Sequence, residues 1–269
     1  MADKASAEPF HWKGVLDMGS RNITLMLSYL IILTLVLTGY LLMVALPVEG
    51  YNPGDYELGY LYFIAFQLLL FSLVVPFWEV EQLTGLSIEQ SNPSLPVKPP
   101  SLAVFRCLGA LLWQMAIFVL ASVPLILLIF IAGGLNMLNF LWPLVLQVLW
   151  GVFILSVRVF LSTTSLPKNW QSFLLMLLVF TALILTPVFF YFYYEYGQLV
   201  LTTVFDRDIP GLFFLNPLLT VTGLLYIQTG GTNQVGWAPV VYNLCFYCPA
   251  ILIFWLLTLR NLNKVYREV

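Results

Sequence analysis

Six apolar runs, each long enough to cross a lipid bilayer, constrain this chain more than any other feature. A hydrocarbon core of about 30 Å is crossed by an α-helix of about 20 apolar residues. The runs cover residues 23–46, 59–77, 102–131, 140–161, 172–192 and 239–259. Because a backbone in lipid must satisfy its own hydrogen bonds, we expect an all-α integral membrane protein with a six-helix transmembrane domain over residues 23–259.

The composition excludes a soluble enzyme. The chain is 61% hydrophobic and 9% charged, whereas a soluble domain carries about 25% charged residues to cover its water-exposed surface. The net charge of −2 gives no basic field that would attract nucleic acid. The lipid bilayer is therefore the expected environment, and no nucleic-acid partner is expected.

Lysine and arginine are distributed unevenly among the segments that join the apolar runs. With six spans and a cytoplasmic N-terminus, ten of the 11 basic residues lie on the cytoplasmic side and Arg207 lies outside. This positive-inside bias predicts that the C-terminal tail, residues 260–269, is cytoplasmic as well. We expect a multi-pass protein of the plasma (inner) membrane.

A seventh apolar patch, residues 211–227, is shorter and is interrupted by Asn216-Pro217. If it crossed the membrane, Arg260, Lys264 and Arg267 would lie outside, against the charge bias. We therefore predict a re-entrant or interfacial hairpin on the outer face, between the fifth and sixth spans. Non-helical backbone at that depth requires cover from protein or from a wet cavity.

Two further segments lie on the predicted cytoplasmic side. Residues 1–22 form a polar tail that ends in a short apolar stripe, Phe10 to Gly19, typical of a helix on the membrane surface. Residues 78–101 carry three acidic residues, Glu79, Glu81 and Glu89, before a proline-rich stretch. We predict a helix over residues 79–91, which is either a docking element for a soluble partner or a solvated connector.

The chain lacks the residue groups that metal, nucleotide or acid–base chemistry requires. Its single histidine, His11, lies in the N-terminal tail, and its three cysteines are too few for a structural zinc site. There is no phosphate-binding G-x-x-x-x-G-K-[ST] motif and no Ser/His/Asp set. We predict that the chain is not an enzyme and holds neither a metal nor a cofactor.

The polar residues inside the predicted spans are neutral. Gln67, Gln114, Gln147 and Asn243 lie in apolar runs, where such side chains more often join helices than bind substrate. In the fifth span, Pro187 predicts a kink, and Thr186 is placed to satisfy a freed backbone group. The sequence assigns no substrate-binding residue.

This layout resembles the membrane (permease) subunits of ABC-2 type ABC transporters. That family has an N-terminal interfacial helix, six spans, a coupling helix between spans two and three, and an outer re-entrant hairpin between spans five and six. The stretch Glu79-Val80-Glu81-Gln82, with Thr84 and the later Pro93, is similar to the family's E-x-E-x-G-T stretch and later Thr-Pro. The stretch Phe214-Leu215-Asn216-Pro217-Leu218 is similar to the Asn-Pro that opens the last part of the family's outer hairpin.

The resemblance implies a permease subunit that works with a second permease chain, identical or paralogous, and with a separate ATPase subunit. Glu79, Glu81 and Glu89 would dock on that ATPase, with the Phe10–Gly19 helix alongside. Asn216 and Pro217 would belong to the outer hairpin. ATP would be bound by the partner and not by this chain, and neither the substrate nor the transport direction follows from the resemblance.

Two other functions stay open. Leu83 stands where the family's stretch has glycine, and the basic residues that usually interleave its glutamates are missing. This motivates a second hypothesis, a non-transporting structural subunit of a larger membrane complex, for example an energy-converting assembly. An ion-coupled carrier or a membrane enzyme is disfavoured, because such proteins normally carry carboxylates or histidines inside their spans.

Overall fold

The described part of the chain consists almost entirely of helices. The computed structural model describes residues 19–45, 53–80, 100–133, 137–189, 191–192, 215–228 and 238–268, and these ranges contain no β-strand. The helices are α1 (Ser20–Ala45), α2 (Pro53–Val74), α3 (Pro100–Gly133), α4 (Met137–Ser162), α5 (Lys168–Phe180), α6 (Pro217–Gln228) and α7 (Ala238–Glu268). A 3-10 turn, Val75–Phe77, extends α2, and a π-helical segment, Thr181–Leu185, extends α5.

Six stretches of helix in the described ranges are long and apolar enough to cross a membrane. They are Ser20–Met43, Gly54–Phe77, Cys107–Gly133, Phe140–Ser162, Lys168–Phe189 and Pro239–Asn263. The prediction of an all-helical protein with six such helices is confirmed, and these helices indicate a multi-pass membrane protein. The second helix begins at Pro53, six residues before the predicted span, because a carboxylate such as Asp55 is favourable in the first turn of a helix.

Successive spans run in opposite directions and define two ends of the bundle. At one end, which we call the Trp78 face, Asn22 of α1 contacts Glu79 after α2, and Asn261 of α7 contacts Thr163 after α4. At the other end, which we call the Asp55 face, the Tyr40 hydroxyl donates to the Asp55 carbonyl. These contacts show that α1 and α2 are antiparallel and that α4 and α7 end on the same face.

The core lies between α2, α3, α4 and α7, where α2 packs along α3 and α4 packs along α7. Phe118 of α3 is its aromatic centre, with its ring centroid 4.7 Å from that of Tyr29, 5.2 Å from that of Phe71 and 5.0 Å from that of Trp78. The outward sides of α1, α5 and α7 expose leucine, isoleucine and phenylalanine side chains. Helices that are apolar on every side are typical of a bundle surrounded by lipid.

Several predicted segments lie wholly or mostly outside the described residues. The predicted interfacial helix Phe10–Gly19 lies outside them except for Gly19, and the predicted docking residues Glu81 and Glu89 lie outside them altogether. A helix was predicted over residues 79–91. Glu79 and Val80, the two residues of this range that the structure describes, are not helical. The chain leaves the helix at Trp78, whose backbone is extended with φ −63° and ψ 129°.

Candidate functional site

The segment that follows α2 is held in place first by its tryptophan. The Trp78 side chain is fully buried, its Nε1 donates to Gln114 Oε1 of α3 at 2.9 Å, and its ring stacks on Phe118. A buried indole N–H needs an acceptor, and Gln114 of α3 supplies one. The exit of α2 is thereby attached to α3.

Glu79 attaches the same segment to the start of α1. The Glu79 backbone N–H donates to Asn22 Oδ1 at 2.8 Å, and Asn22 Nδ2 donates to the Glu79 carbonyl at 3.1 Å. The Glu79 carboxylate lies 3.3 Å from the Arg21 guanidinium, with the two side chains 29% and 56% exposed. Because exposed ion pairs contribute about 0–1 kcal/mol, the Asn22 amide is the stronger of the two attachments.

A third helix completes this arrangement. The Arg158 guanidinium, near the end of α4, donates to the carbonyl of Pro76. The segment from Pro76 to Glu79 is therefore bonded to α1 through Asn22, to α3 through Gln114 and to α4 through Arg158; we call this set of contacts the exit clamp. The chain is thus held to three spans at the point where it leaves α2.

The structure places one of the three predicted docking residues. Glu79 lies in the exit clamp, where its carboxylate pairs with Arg21 of the same chain. Glu81 and Glu89 lie outside the described residues, so their docking role stays a prediction. The sequence analysis did not predict that Arg21 and Asn22 contact Glu79. The signal for this contact was an Arg-Asn pair just before one apolar run and a glutamate just after the next run.

Asn216 and Pro217 start α6. Asn216 Oδ1 accepts the backbone N–H groups of Leu218 at 2.7 Å and Leu219 at 3.1 Å, and Pro217 occupies the first helical position. An asparagine cap followed by proline is a favoured helix start, because the cap supplies an acceptor and proline has no N–H to leave unpaired. The same Asn216 side chain also reaches α5, where Nδ2 donates to the Ala182 carbonyl at 2.5 Å.

The bond to Ala182 is explained by the π-helical segment. In that segment the N–H of Thr186 donates to the carbonyl of Thr181, five residues earlier. In the same register the donor for Ala182 would be Pro187, which has no N–H, and Asn216 supplies the missing donor. The Thr186 hydroxyl donates to the Thr181 carbonyl at 2.9 Å, a carbonyl that already accepts the Thr186 N–H, so Thr186 does not satisfy the carbonyl left without a donor by Pro187.

The start of α6 lies deep in the bundle. The Tyr247 hydroxyl donates to the Leu215 carbonyl, and Asn243 Nδ2 donates to Thr220 Oγ1 at 2.7 Å. Tyr247 is nine residues into α7, about 14 Å along a helix that rises 1.5 Å per residue. Because Asn243 lies closer to the start of α7, α6 runs from the middle of the bundle towards the Asp55 face.

Four buried polar side chains from four spans meet near mid-depth. Gln67 Nε2 of α2 donates to Ser122 Oγ of α3 at 2.7 Å and to Gln147 Oε1 of α4 at 3.1 Å, and Gln147 Nε2 lies 3.4 Å from the Tyr29 hydroxyl of α1. All four residues are at most 3% exposed. We call Tyr29, Gln67, Ser122 and Gln147 the polar cluster. Gln67 Oε1 in this cluster is buried and has no hydrogen-bond partner.

The neutral polar residues in the spans join helices, as the sequence predicted. Gln67, Gln114, Gln147 and Asn243 each hydrogen-bond to a side chain of another helix or segment. Two tryptophans do the same, since Trp150 Nε1 donates to Ser72 Oγ at 2.8 Å and Trp255 Nε1 donates to Ser156 Oγ at 2.9 Å. Such bonds between spans stabilise helix association in lipid.

The chemistry of these sites is therefore hydrogen bonding and one exposed ion pair. Within the part of the chain that the structure describes, no group of three or more His, Cys, Asp or Glu residues could hold a metal ion. Comparison of the chain with protein-family models, with curated proteins and with solved structures gives no match.

Proposed function

We propose that this chain is the permease subunit of an ATP-driven transporter of the ABC-2 type, which works with a separate ATPase and a second permease chain. The exit clamp is the observation that carries the proposal. Force applied to the residues after Val80 would reach α1, α3 and α4 through Asn22, Gln114 and Arg158. A transporter driven from outside its own chain needs such a connection between its docking segment and its spans.

The distribution of charge supports the orientation that this function requires. All seven basic residues in the described ranges lie at or beyond the Trp78 face: Arg21, Arg106, Arg158, Lys168, Arg260, Lys264 and Arg267. Asp55 and Glu57 lie at the opposite end. In the proposed function the Trp78 face is cytoplasmic, as the positive-inside rule requires. Both termini and residues 79–91 then share the side on which an ATPase would bind.

The coupling works through a change of equilibrium between two arrangements of the spans. In this proposal Glu81 and Glu89 contact the ATPase, and ATP binding and hydrolysis move residues 79–91. Nucleotide shifts the spans only if the ATPase binds their two arrangements with different affinity. Trp78 and Glu79 would pass the movement to the helices that hold them.

In the same orientation α6 belongs to an outer re-entrant hairpin. The hairpin would enter through residues before Leu215 and return along α6, with Asn216 at its deepest point. The support for this is the position of Asn216 beside Ala182 and of Leu215 beside Tyr247. Protein therefore covers the backbone at that depth, as a bilayer core requires.

Native purification of the tagged full chain in a mild detergent tests the proposal. We expect a nucleotide-binding chain to purify with it, and we expect the double variant Glu81→Lys/Glu89→Lys to lose that chain. The control is Glu57→Lys, which places one of these two charge reversals on the opposite face, and each of the single variants Glu81→Lys and Glu89→Lys is compared with it. A complex that contains other membrane subunits and no ATPase, in both variants and in the unaltered chain, would favour the structural-subunit function and overturn the proposal.

Glu79 needs a separate test because it already pairs with Arg21. The variant Glu79→Arg is compared with the exchanged pair Arg21→Glu/Glu79→Arg. If Glu79 acts by holding the exit clamp, the exchanged pair retains the ATPase while the single variant loses part of it. If Glu79 contacts the ATPase directly, both variants lose it equally.

A further inference from the structure

The helix that begins as α5 packs into the bundle only as far as its π-helical segment. Leu175, Val179 and Leu183, spaced four residues apart on one side of the helix, are each at most 3% exposed. The helix then continues over residues 186–189 and 191–192, which we call the end segment. The four side chains described in it after Pro187 are 42–60% exposed: Val188, Phe189, Tyr191 and Phe192. The end segment therefore has little packing of its own to fix its direction.

The hydrogen-bond ladder of the helix is interrupted at the same point. In the π-helical segment the Thr186 N–H donates to the Thr181 carbonyl, and Pro187 has no N–H for the next carbonyl, that of Ala182. Helices bend sharply at prolines and at π-bulges. The backbone bonds alone therefore leave a point of bending between the packed part of α5 and the end segment.

A side chain from outside the helix supplies the bond that Pro187 removes. Asn216 Nδ2 donates to the Ala182 carbonyl at 2.5 Å. The orientation of this amide is fixed, because its Oδ1 accepts the N–H groups of Leu218 at 2.7 Å and Leu219 at 3.1 Å. Turning the amide over would set its nitrogen against two donors and its oxygen against the Ala182 carbonyl. The bond to Ala182 therefore depends on the position of the start of α6.

We propose that the end segment is hinged at residues 181–187 and that the Asn216 amide holds it in place. While Asn216 donates to the Ala182 carbonyl, the turn before Pro187 is fully bonded. When the start of α6 moves away, that carbonyl loses its donor, the helix opens on that side, and the end segment tilts away from Asn216. A movement of α6 thereby becomes a movement of α5. The hinge follows from the bonds around Ala182 and not from the proposed transport function.

Distances between spin labels on the full chain in a lipid nanodisc test the hinge. One pair joins Tyr191→Cys in the end segment to Leu141→Cys in α4. The control pair joins Leu177→Cys, which precedes the hinge, to the same position in α4. The three labelled positions are 47–60% exposed. Cys245 and Cys248 are exposed as well, so both are replaced by serine throughout.

With Asn216 present we expect a narrow distance distribution for both pairs. Asn216→Asp should broaden or shift the Tyr191 pair by about 3–4 Å, which a bend of about 20° produces over about 10 Å of helix. The Leu177 pair should not change. Adding Pro187→Ala to Asn216→Asp should restore the narrow distribution, because alanine supplies an N–H for Ala182. No response of the Tyr191 pair to Asn216→Asp, or an equal response of both pairs, would overturn the hinge.

Hydrogen exchange provides a second readout that removes no bond from the protein. Pro187→Ala adds a donor for the Ala182 carbonyl and keeps Asn216, so the hinge should open less often. We expect the backbone N–H of Val188 to exchange several-fold more slowly in this variant than in the unaltered chain. The backbone N–H of Leu177, before the hinge, is the control and should exchange at the same rate in both. Equal rates for Val188 in the two chains would contradict the hinge.

Discussion

The side chain of Asn22 hydrogen-bonds to both backbone groups of Glu79, a residue 57 positions later in the chain. Its oxygen accepts the Glu79 N–H at 2.8 Å, and its nitrogen donates to the Glu79 carbonyl at 3.1 Å. Asn22 is only 2% exposed. The Asn22 amide therefore satisfies the two Glu79 backbone groups that no helix or strand pairs where the chain leaves α2. It also joins the start of the first span to the end of the second.

Removing this amide should destabilise the protein. In Asn22→Ala both backbone groups of Glu79 lose their partner, and an unsatisfied buried polar group costs about 1–3 kcal/mol. We expect a lower thermal unfolding midpoint for the purified protein in detergent. The control is Thr24→Ala, because the Thr24 hydroxyl is exposed and bonds only to the Ser20 carbonyl of its own helix. Equal midpoints for the two variants would show that the bond to Glu79 contributes no stability.

The Asn216 side chain makes two kinds of bond, and substitution can separate them. Asn216→Asp keeps an acceptor for the N–H groups of Leu218 and Leu219 but removes the donor for the Ala182 carbonyl. Asn216→Ala removes both. We expect Asn216→Ala to lower the stability by about 1–3 kcal/mol, and Asn216→Asp to lower it by less, in thermal or denaturant unfolding.

Pro187→Ala should rescue Asn216→Asp. Alanine restores an N–H at the position that pairs with Ala182 in the π-helical register, so the carbonyl no longer needs the Asn216 nitrogen. A double-mutant cycle over the two positions measures this coupling, which we expect to reach about 0.5–3 kcal/mol. Strictly additive effects would mean that the Ala182 carbonyl is satisfied by another group.

The six spans were predictable because length and apolar composition are local properties of the sequence. The partner of the carbonyl freed by Pro187 was not predictable in this way, because Asn216 supplies it from a segment 34 residues later and Thr186 does not. The start of α2 at Pro53 was not visible in the hydropathy, because Asp55 and Glu57 precede the apolar run that begins at Gly59; Asp55 is nevertheless favourable in the first turn of the helix. Hydropathy marks the lipid-buried part of a helix and not its end.

The exit clamp and the polar cluster were not predictable in the same way. Arg21, Asn22 and Glu79 meet only because α1 and α2 are antiparallel and packed side by side. The glutamines of the polar cluster could be recognised one by one, but not as neighbours. Spans that are apolar on every side carry no stripe that reveals which way each helix faces, so the meeting of Gln67 with Gln147 depends on rotations that the sequence does not display.

The two ends of the bundle should be accessible from opposite sides of the membrane. We expect Ser165→Cys, an exposed position on the Trp78 face, to react with a membrane-impermeant maleimide only after the membrane is opened. Asp55→Cys, exposed on the opposite face, should react in intact cells. The unaltered chain, with Cys107, Cys245 and Cys248, gives the background. Labelling in the reverse order would place the Trp78 face outside and remove the support for an ATPase at that face.

Two glycines test how tightly α2, α3 and α4 are packed. A Cβ at Gly151 of α4 would lie 2.7 Å from Phe71 Cζ and 3.1 Å from Met115 Sδ, whereas a Cβ at Gly109 of α3 would meet nothing within 4 Å. Phe71 is fully buried and packs on Phe118, so its ring has little room to move away. We expect Gly151→Ala to lower the stability by about 1–3 kcal/mol.

Gly109→Ala is the matched control in this comparison, since it adds the same methyl group to an exposed helical position. We expect it to leave the thermal unfolding midpoint unchanged or to raise it, because alanine is up to about 1 kcal/mol more favourable than glycine in a helix. The two variants should therefore shift the midpoint in different directions. If Gly151→Ala left the midpoint unchanged or raised it, as expected for Gly109→Ala, the packing of α4 against the Phe71 ring would be loose. The helices around the polar cluster would then not be tightly packed.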